Sequence, residues 1–256
     1  MILRRLATSI RKQDWFAVII ETLIVVFGVY LGVMLGNLNG DRQQRQLYEQ
    51  SLERALVEAR VNLQGIEQEI EDIDVRLPPV QTALDILRSC RTDDEARAQI
   101  EASFSPLRVA SGFNVDTKAL DQLISNDSFL PFQSSDTREA LLTLSAVLNG
   151  VRDQSERMNA STNAVVLFAE HIIQPGELSH GSPQDVTGIV MSGELASPEL
   201  VRPWTLKVPM DVACRDEEFL QLFYWSEDSS YFHGVMGRLS VIRIREALQQ
   251  LDGNGA

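Results

Sequence analysis

The chain lacks the short motifs that mark most enzyme active sites. Its 256 residues contain no nucleophile elbow, no phosphate-binding loop, no HExxH pair and no paired cysteine or histidine ligand motif. Glu170 and His171 form the one neighbouring carboxylate and imidazole pair, but consecutive helical residues point about 100° apart and do not face each other. We interpret His171 as a residue of the surface or of a bundle end. We predict a protein that is not an enzyme and has no cofactor.

Cysteine and histidine are scarce, with two and three residues respectively. The histidines show no ligand spacing relative to either cysteine, which disfavours a metal site. Cys90 and Cys214 are each followed by arginine and an acidic helix start, CRTDDE and CRDEE. They therefore lie at similar places, just before two helices, and an oxidising compartment lets such a pair form a bridge. We predict a disulfide between them, with two free thiols as the alternative.

Strand-like alternation is nearly missing, and WTLKV at 204–208 is the nearest candidate. Apolar residues recur instead at steps of four and three, which predicts helices packed along one stripe. The clearest seam comprises Leu52, Leu56, Ala59, Leu63, Ile66, Ile70, Ile73 and Leu77. Similar seams run from Leu141 to Ile172 and from Leu220 to Leu251, where Glu227 and Gly237 are weak links. We predict an all-α protein, in which one N-terminal transmembrane helix continues into a long helix and an antiparallel bundle with coiled-coil-like seams follows.

Caps and prolines set the predicted helix boundaries. Pro78 and Pro79 predict that the long helix ends or kinks near Leu77, before a short second helix at 80–89. Capping boxes, Thr92 with Glu95 and Asp136 with Glu139, open helices at 93–103 and 136–173. Further helices are predicted at 117–125 and 216–251. The proline-rich stretch 174–214 is a predicted loop with two short helices, near 182 and 197, and 252–256 is a predicted disordered tail.

A single apolar run is long enough to cross a bilayer as a helix. It extends from Trp15 to Gly36, and Glu21 is its only charged side chain. A cleaved signal peptide has a shorter apolar region and an A-x-A exit, which this run lacks. We predict a transmembrane helix at 15–37, and no second stretch of the sequence approaches that length.

Charge is distributed unevenly about this run. The chain carries −13, but residues 1–14 hold four basic residues against Asp14 and contribute +3. Without that segment and the −1 of Glu21, the part after the run carries −15. The positive-inside bias therefore predicts a cytoplasmic basic segment at 1–14 and a periplasmic helical domain at 38–251, anchored in a bacterial inner membrane. So acidic a domain is repelled by nucleic acid, which we exclude as a partner.

Small residues recur on one face of the predicted transmembrane helix. Gly28, Gly32 and Gly36 form a groove, and Glu21 and Val25 lie on the same face. A Cβ-free groove lets another helix approach closely, so we predict a contact with a second copy or with another transmembrane protein. The alternative is a chance spacing of glycines, with the Glu21 side chain reaching the inner headgroups.

Several stretches together resemble an uncharacterised family of bacterial single-pass membrane proteins with a domain of unknown function. They are the basic start, the apolar run ending in GNLNGDR, LYEQSLERALVEARVNLQ, TKALDQLISNDSFLPFQSSDTREALLTL and the late EEFLQLFYW. The chain departs from this pattern after the run, where Leu38-Asn39 replaces a Trp-Asn pair. The resemblance implies the architecture and the membrane location, and no activity, substrate or catalytic residue.

Two classes of function agree with these features. In the first, the chain is a membrane-anchored structural or accessory protein that binds a helix through its glycine face and proteins through its acidic body. In the second, the body is a periplasmic sensor or a small-ligand-binding module that acts through a partner. Aromatic residues near the middle of the last helix bear on this choice, because they form either a packed core or a ligand pocket. They are Tyr224, Trp225, Tyr231, Phe232 and His233.

Overall fold

The computed structural model describes the backbone of residues 15–108, 112–165, 170–178 and 202–253. These residues are helical almost throughout, so the predicted all-α class is confirmed. Four predicted features lie outside the described residues. They are the basic segment 1–14, helix residues 166–169, the two short helices near 182 and 197, and the tail residues 254–256.

The first helix, α1, runs without interruption from Trp15 to Ser89, a length of 75 residues. At 1.5 Å per residue it is about 110 Å long. Its first part is long and apolar enough to cross a membrane. The predicted continuation of the apolar run into a long helix is therefore confirmed.

Of the two predicted outcomes near Leu77, the end of the helix is wrong, because Pro78 and Pro79 lie inside α1, and the kink stays a prediction. Each proline removes one N–H donor, and the carbonyls that lose their helical partners belong to Asp74 and Val75. Both of these residues are exposed, so water can satisfy their carbonyls. On the other side of the helix, buried residues beyond the prolines hold it in place, among them Val80, Leu84 and Leu87.

Two helices and a 3-10 helix follow: α2 (Asp94–Arg108), α3 (Lys118–Ser125) and the 3-10 helix Asp127–Phe132. The cap of α2 is Asp93, whose Oδ1 accepts a hydrogen bond of 2.9 Å from the N–H of Ala96. The predicted capping box at Thr92 is therefore wrong by one residue. The predicted end at Ser103 is also wrong, because Phe104 and Leu107 are buried and draw α2 past Pro106.

The later helices are α4 (Ser135–Val165), α5 (Met210–Ala213) and α6 (Glu217–Gly253). Ser134, and not the predicted Asp136, caps α4, since its Oγ accepts a hydrogen bond of 3.1 Å from the N–H of Thr137. The predicted disordered tail is wrong at 252–253, which belong to α6. Asp252 there accepts a hydrogen bond of 2.7 Å from Arg60.

A small antiparallel sheet joins two distant segments. Strand β1 (Ile173–Pro175) pairs with β2 (Trp204–Leu206), with Ile173 opposite Leu206. The WTLKV candidate is thus confirmed as a strand in its first three residues. The helix predicted to reach residue 173 does not, because Ile173 belongs to β1 and buries its side chain with Ile172 in a core.

Helices α1 and α6 pack antiparallel along most of the body. Three ion pairs repeat every seven residues along one flank: Arg60 with Asp252, Glu67 with Arg245 and Asp74 with Arg238. Seven residues are two turns of a coiled coil, so this spacing fits a regular seam. The predicted seam residues Ala59, Ile66 and Ile73 are buried beside the ion pairs.

The body contains two hydrophobic cores. The first lies where α1, α3, α4 and α6 meet, and Leu120, Leu144 and Ile244 are fully buried in it. The second lies at the far end of α1, where α2, the strands, α5 and the start of α6 pack together. Phe219 and Phe223 fill this second core with their rings edge to face, 5.2 Å apart between centroids.

Candidate functional site

The predicted contact residues all lie on the apolar part of α1. Glu21, Val25, Gly28, Gly32 and Gly36 are exposed. A Cβ atom added at any of the three glycines would meet nothing within 4 Å. At 100° per residue the five positions fall within a sector about 80° wide. Within the part of the chain that the structure describes, no other element covers this face.

This face can receive another helix at short distance. Without Cβ atoms, two backbones approach closely and gain van der Waals contact, which drives helix association in lipid. A carboxyl group at Glu21 in hydrocarbon requires protein, water or headgroups around it. The association itself stays a prediction, since the structure contains one chain.

The predicted cysteine pair is brought together at the far end of α1. Cys90 and Cys214 are joined as a disulfide, with Cα atoms 5.4 Å apart and a sequence separation of 124. Cys90 takes a left-handed conformation with φ 50° directly after α1. Cys214 follows α5, so the bond ties the end of the long helix to the segment that leads into α6.

A polar cluster beside the disulfide fixes the start of α6. Asp216 accepts hydrogen bonds of 2.8 Å from the N–H of Phe219 and from Nε2 of His171. Burial raises the pKa of Asp216, but these two hydrogen bonds, the charge of His171 and a backbone hydrogen bond from Glu218 together bring it below its ordinary value. His171 is thus a positioning residue at the end of the bundle, in line with its interpretation from the sequence.

Two polar side chains of α1 hold the segment around α3, and the sequence analysis missed both roles. Glu58 accepts hydrogen bonds of 2.9 and 3.1 Å from the N–H groups of Ala119 and Leu120. These are free donors of the first turn of α3. Asn62, which is 5% exposed, exchanges two hydrogen bonds of 2.6 and 3.1 Å with the backbone of Asp116. The position of Asn62 beside an apolar seam could have indicated its role. Glu58, in contrast, resembled the other surface charges.

His233 is buried between α6 and the segment before α3. It is 1% exposed, and its ring meets that of Phe113 edge to face at 6.0 Å. Neither ring nitrogen has a hydrogen-bond partner among the described residues. Burial lowers the pKa of His233, and the nearby carbonyl of Ser229 opposes this shift only in part. A neutral imidazole is therefore part of the packed interior.

The other aromatic residues of α6 do not form the predicted core. Tyr224, Tyr231 and Phe232 are 51%, 62% and 42% exposed. They lie on a different side of the helix from Phe219, because residues five, twelve and thirteen positions after Phe219 fall more than 100° away from it. Nor do these three line the polar depression found between α4 and α6, whose walls include Asp136 and Arg243. The predicted packed core holds for His233 alone, since Trp225 is half-buried.

Fold and site together define a class: a helical protein whose first helix is apolar enough to span a membrane and continues into a disulfide-tied bundle. No family model, curated protein or solved structure matches the chain. Membership of the family that the sequence resembles therefore stays a prediction.

Proposed function

We propose that the chain is a membrane-anchored, non-enzymatic structural or accessory protein. Its glycine face binds another transmembrane helix, from a second copy or from a different protein. Its acidic helical body contacts proteins in the periplasm, with the basic segment 1–14 left in the cytoplasm by the positive-inside bias.

One observation carries this proposal. The face that holds Gly28, Gly32 and Gly36 is uncovered, on an apolar helix that passes without a break into the folded body. A helix that only anchored the body would need no such groove, and a carboxyl group on the same face would be costly against lipid. Both features are accounted for by a partner helix.

The alternative, a periplasmic sensor or ligand-binding module, has less support. The aromatic residues expected to form a pocket are largely on the surface. Such a module would act through a partner protein.

The experiment compares two β-branched substitutions in the full chain in its own membrane. Gly32→Ile fills the groove, while Leu31→Ile places the same side chain about 100° away around the helix. We expect Gly32→Ile to reduce the recovery of crosslinked partners at least fivefold, and Leu31→Ile to leave it unchanged. Equal recovery with both variants would show that the glycine face is only a lipid-facing surface.

A further inference from the structure

The glycine face of α1 continues along the body of the same helix. Because 18 residues make five turns, positions 18 apart point in the same direction. The positions 18 residues after the five predicted contact residues are Asn39, Gln43, Gln46, Gln50 and Arg54. The positions 36 residues after them are Val57, Val61, Gln64, Gln68 and Asp72. The position 54 residues after Glu21 is Val75. Without Arg54 and Asp72, which lie at one edge, this set is called the outer stripe.

The outer stripe is uncovered over its whole length. Every one of its residues is exposed, and Val57, Val61 and Val75 are 52%, 64% and 74% exposed. The opposite side of the same turns holds Ala59 and Ile73, which are at most 1% exposed and pack in the body. The chain therefore folds against one side of α1 and leaves the other free.

Charge separates the outer stripe from the rest of the exposed surface of α1. Its residues are asparagine, glutamine and valine only. Many of the other exposed positions in this part of α1 carry a charge, including Arg42, Glu49, Glu53, Arg60 and Glu71. A solvated helix face has no physical need for such a charge-free line, whereas a contact surface does.

We propose that the outer stripe is the contact surface between two parallel copies of this chain, which extends the glycine contact from the membrane along the body. This inference rests on the proposed function. Two copies anchored in one membrane have the same direction and height, so they pair about a twofold axis and each residue meets its counterpart. Like charges facing each other across the axis are destabilising, so a line without charge suits the pairing of two identical copies. A foreign partner could instead supply the opposite charge and would gain from it.

The period of the stripe defines how the two helices lie. Repeats of 3.5 residues per turn wind two helices left-handed and repeats of 3.67 wind them right-handed. The outer stripe follows one side of α1 at 3.6 residues per turn, so a contact along its whole length requires nearly straight, nearly parallel helices. A contact through the glycines alone crosses at about 40°, and the axes at Val57 would then have separated by roughly 25 Å.

Single cysteines test this difference in the full chain in membranes, because the two native cysteines are already paired. Gly32→Cys reports the glycine contact, and Val57→Cys and Val75→Cys report the stripe. Asp41→Cys is the control, since it is exposed, nearer to the apolar run than Val57, and about 160° away from it around α1. Under mild oxidation we expect Val57→Cys and Val75→Cys to give at least tenfold more disulfide-linked dimer than Asp41→Cys.

The outcomes separate the two proposals. If only Gly32→Cys forms dimers, the stripe contact is overturned and the proposed function stands. If the stripe variants form dimers and Gly32→Cys does not, the stripe contact stands and the glycine contact is overturned. Adducts with a different protein at Val57 and Val75, without dimers, overturn the second copy as the occupant.

A charge exchange tests self-recognition directly. One tagged copy carries Gln50→Glu with Gln68→Glu, and another carries Gln50→Lys with Gln68→Lys. Each alone should lose at least tenfold in dimer recovery, and the two expressed together should recover a mixed dimer. The same change at the exposed Gln249 of α6 should have no effect. Loss that mixing does not restore would overturn the inference.

Discussion

The two sides of α1 differ in what they contact and in how their sequences reveal it. The inner side combines small and large apolar residues, such as Ala55 and Ile66, which are at most 1% exposed. The outer stripe combines valine with glutamine and avoids charge. The inner side is recognised by hydrophobicity and the outer one only by the lack of charge. One helix thus separates the residues that fold the chain from those available to a partner.

The disulfide gives the largest expected effect on the inner side, because it closes the end of the packed half of α1. In the double variant Cys90→Ser with Cys214→Ser, the unfolded chain is freed from a loop of 124 residues. Chain entropy then predicts a loss of about 5 kcal/mol in the free energy of unfolding. Denaturant unfolding of the full chain in detergent measures this loss.

Wild-type protein treated with reductant is the control and should lose the same amount. The bond also reports the compartment, since thiols in a bacterial cytoplasm stay reduced. If the two cysteines in cells react freely with a thiol reagent, the body is not in an oxidising compartment and the predicted topology is wrong.

A matched pair of substitutions compares the two sides directly. Ile73→Ala removes a side chain that is 1% exposed and should cost about 3 kcal/mol of stability. Val75→Ala, two residues further, removes one that is 74% exposed and should cost less than about 0.5 kcal/mol in dilute detergent, where copies are separate. Unfolding curves of both variants decide this, and equal losses would mean that the outer side is also packed within the chain.

The seams were predictable because burial follows helical spacing, and the cysteine pair because both residues precede helices. The helix ends predicted from the prolines were wrong for one shared reason. Pro78, Pro79 and Pro106 free carbonyls whose residues are exposed, at Asp74, Val75 and Ala102, so neighbouring buried side chains decide the helix instead. A local rule cannot include packing that lies on the other side of the helix.

Long-range pairing accounts for most of what the sequence did not reveal. The strand at Ile173 exists only because Trp204–Leu206 lies beside it. Gly237 resembled a weak link in a seam, yet an added Cβ there would meet Phe113 at 2.7 Å and Ile70 at 2.9 Å, so glycine permits this close contact. The outer stripe required the knowledge that α1 is unbroken, since its residues align only if one helix carries them all.

The smallest expected effect concerns His233, which packs on α6 beside the inner side of α1. Its pKa is lowered by burial from an ordinary value of 6.5. The unfolded chain therefore binds this proton more readily than the folded one, and stability falls as the pH drops below about 6.5. Burial raises the pKa of Glu69, although the charge of Arg76 opposes this shift. The folded chain therefore binds this proton more readily than the unfolded one, so Glu69 makes stability rise as the pH falls further.

Replacing the ring with an apolar side chain of similar size isolates this contribution. His233→Leu removes two nitrogens without partners among the described residues, so it should leave stability at pH 7.5 unchanged or raise it by about 1 kcal/mol. Its advantage over the wild type should grow as the pH falls from 7.5 to 5.5, because only the wild type must keep an imidazole neutral there. The measurement is the difference in melting temperature between the two proteins at each pH, in which Glu69 and the other acids cancel. A difference that stays constant over this range would show that the pKa of His233 does not change on folding, and a shrinking difference that it is raised.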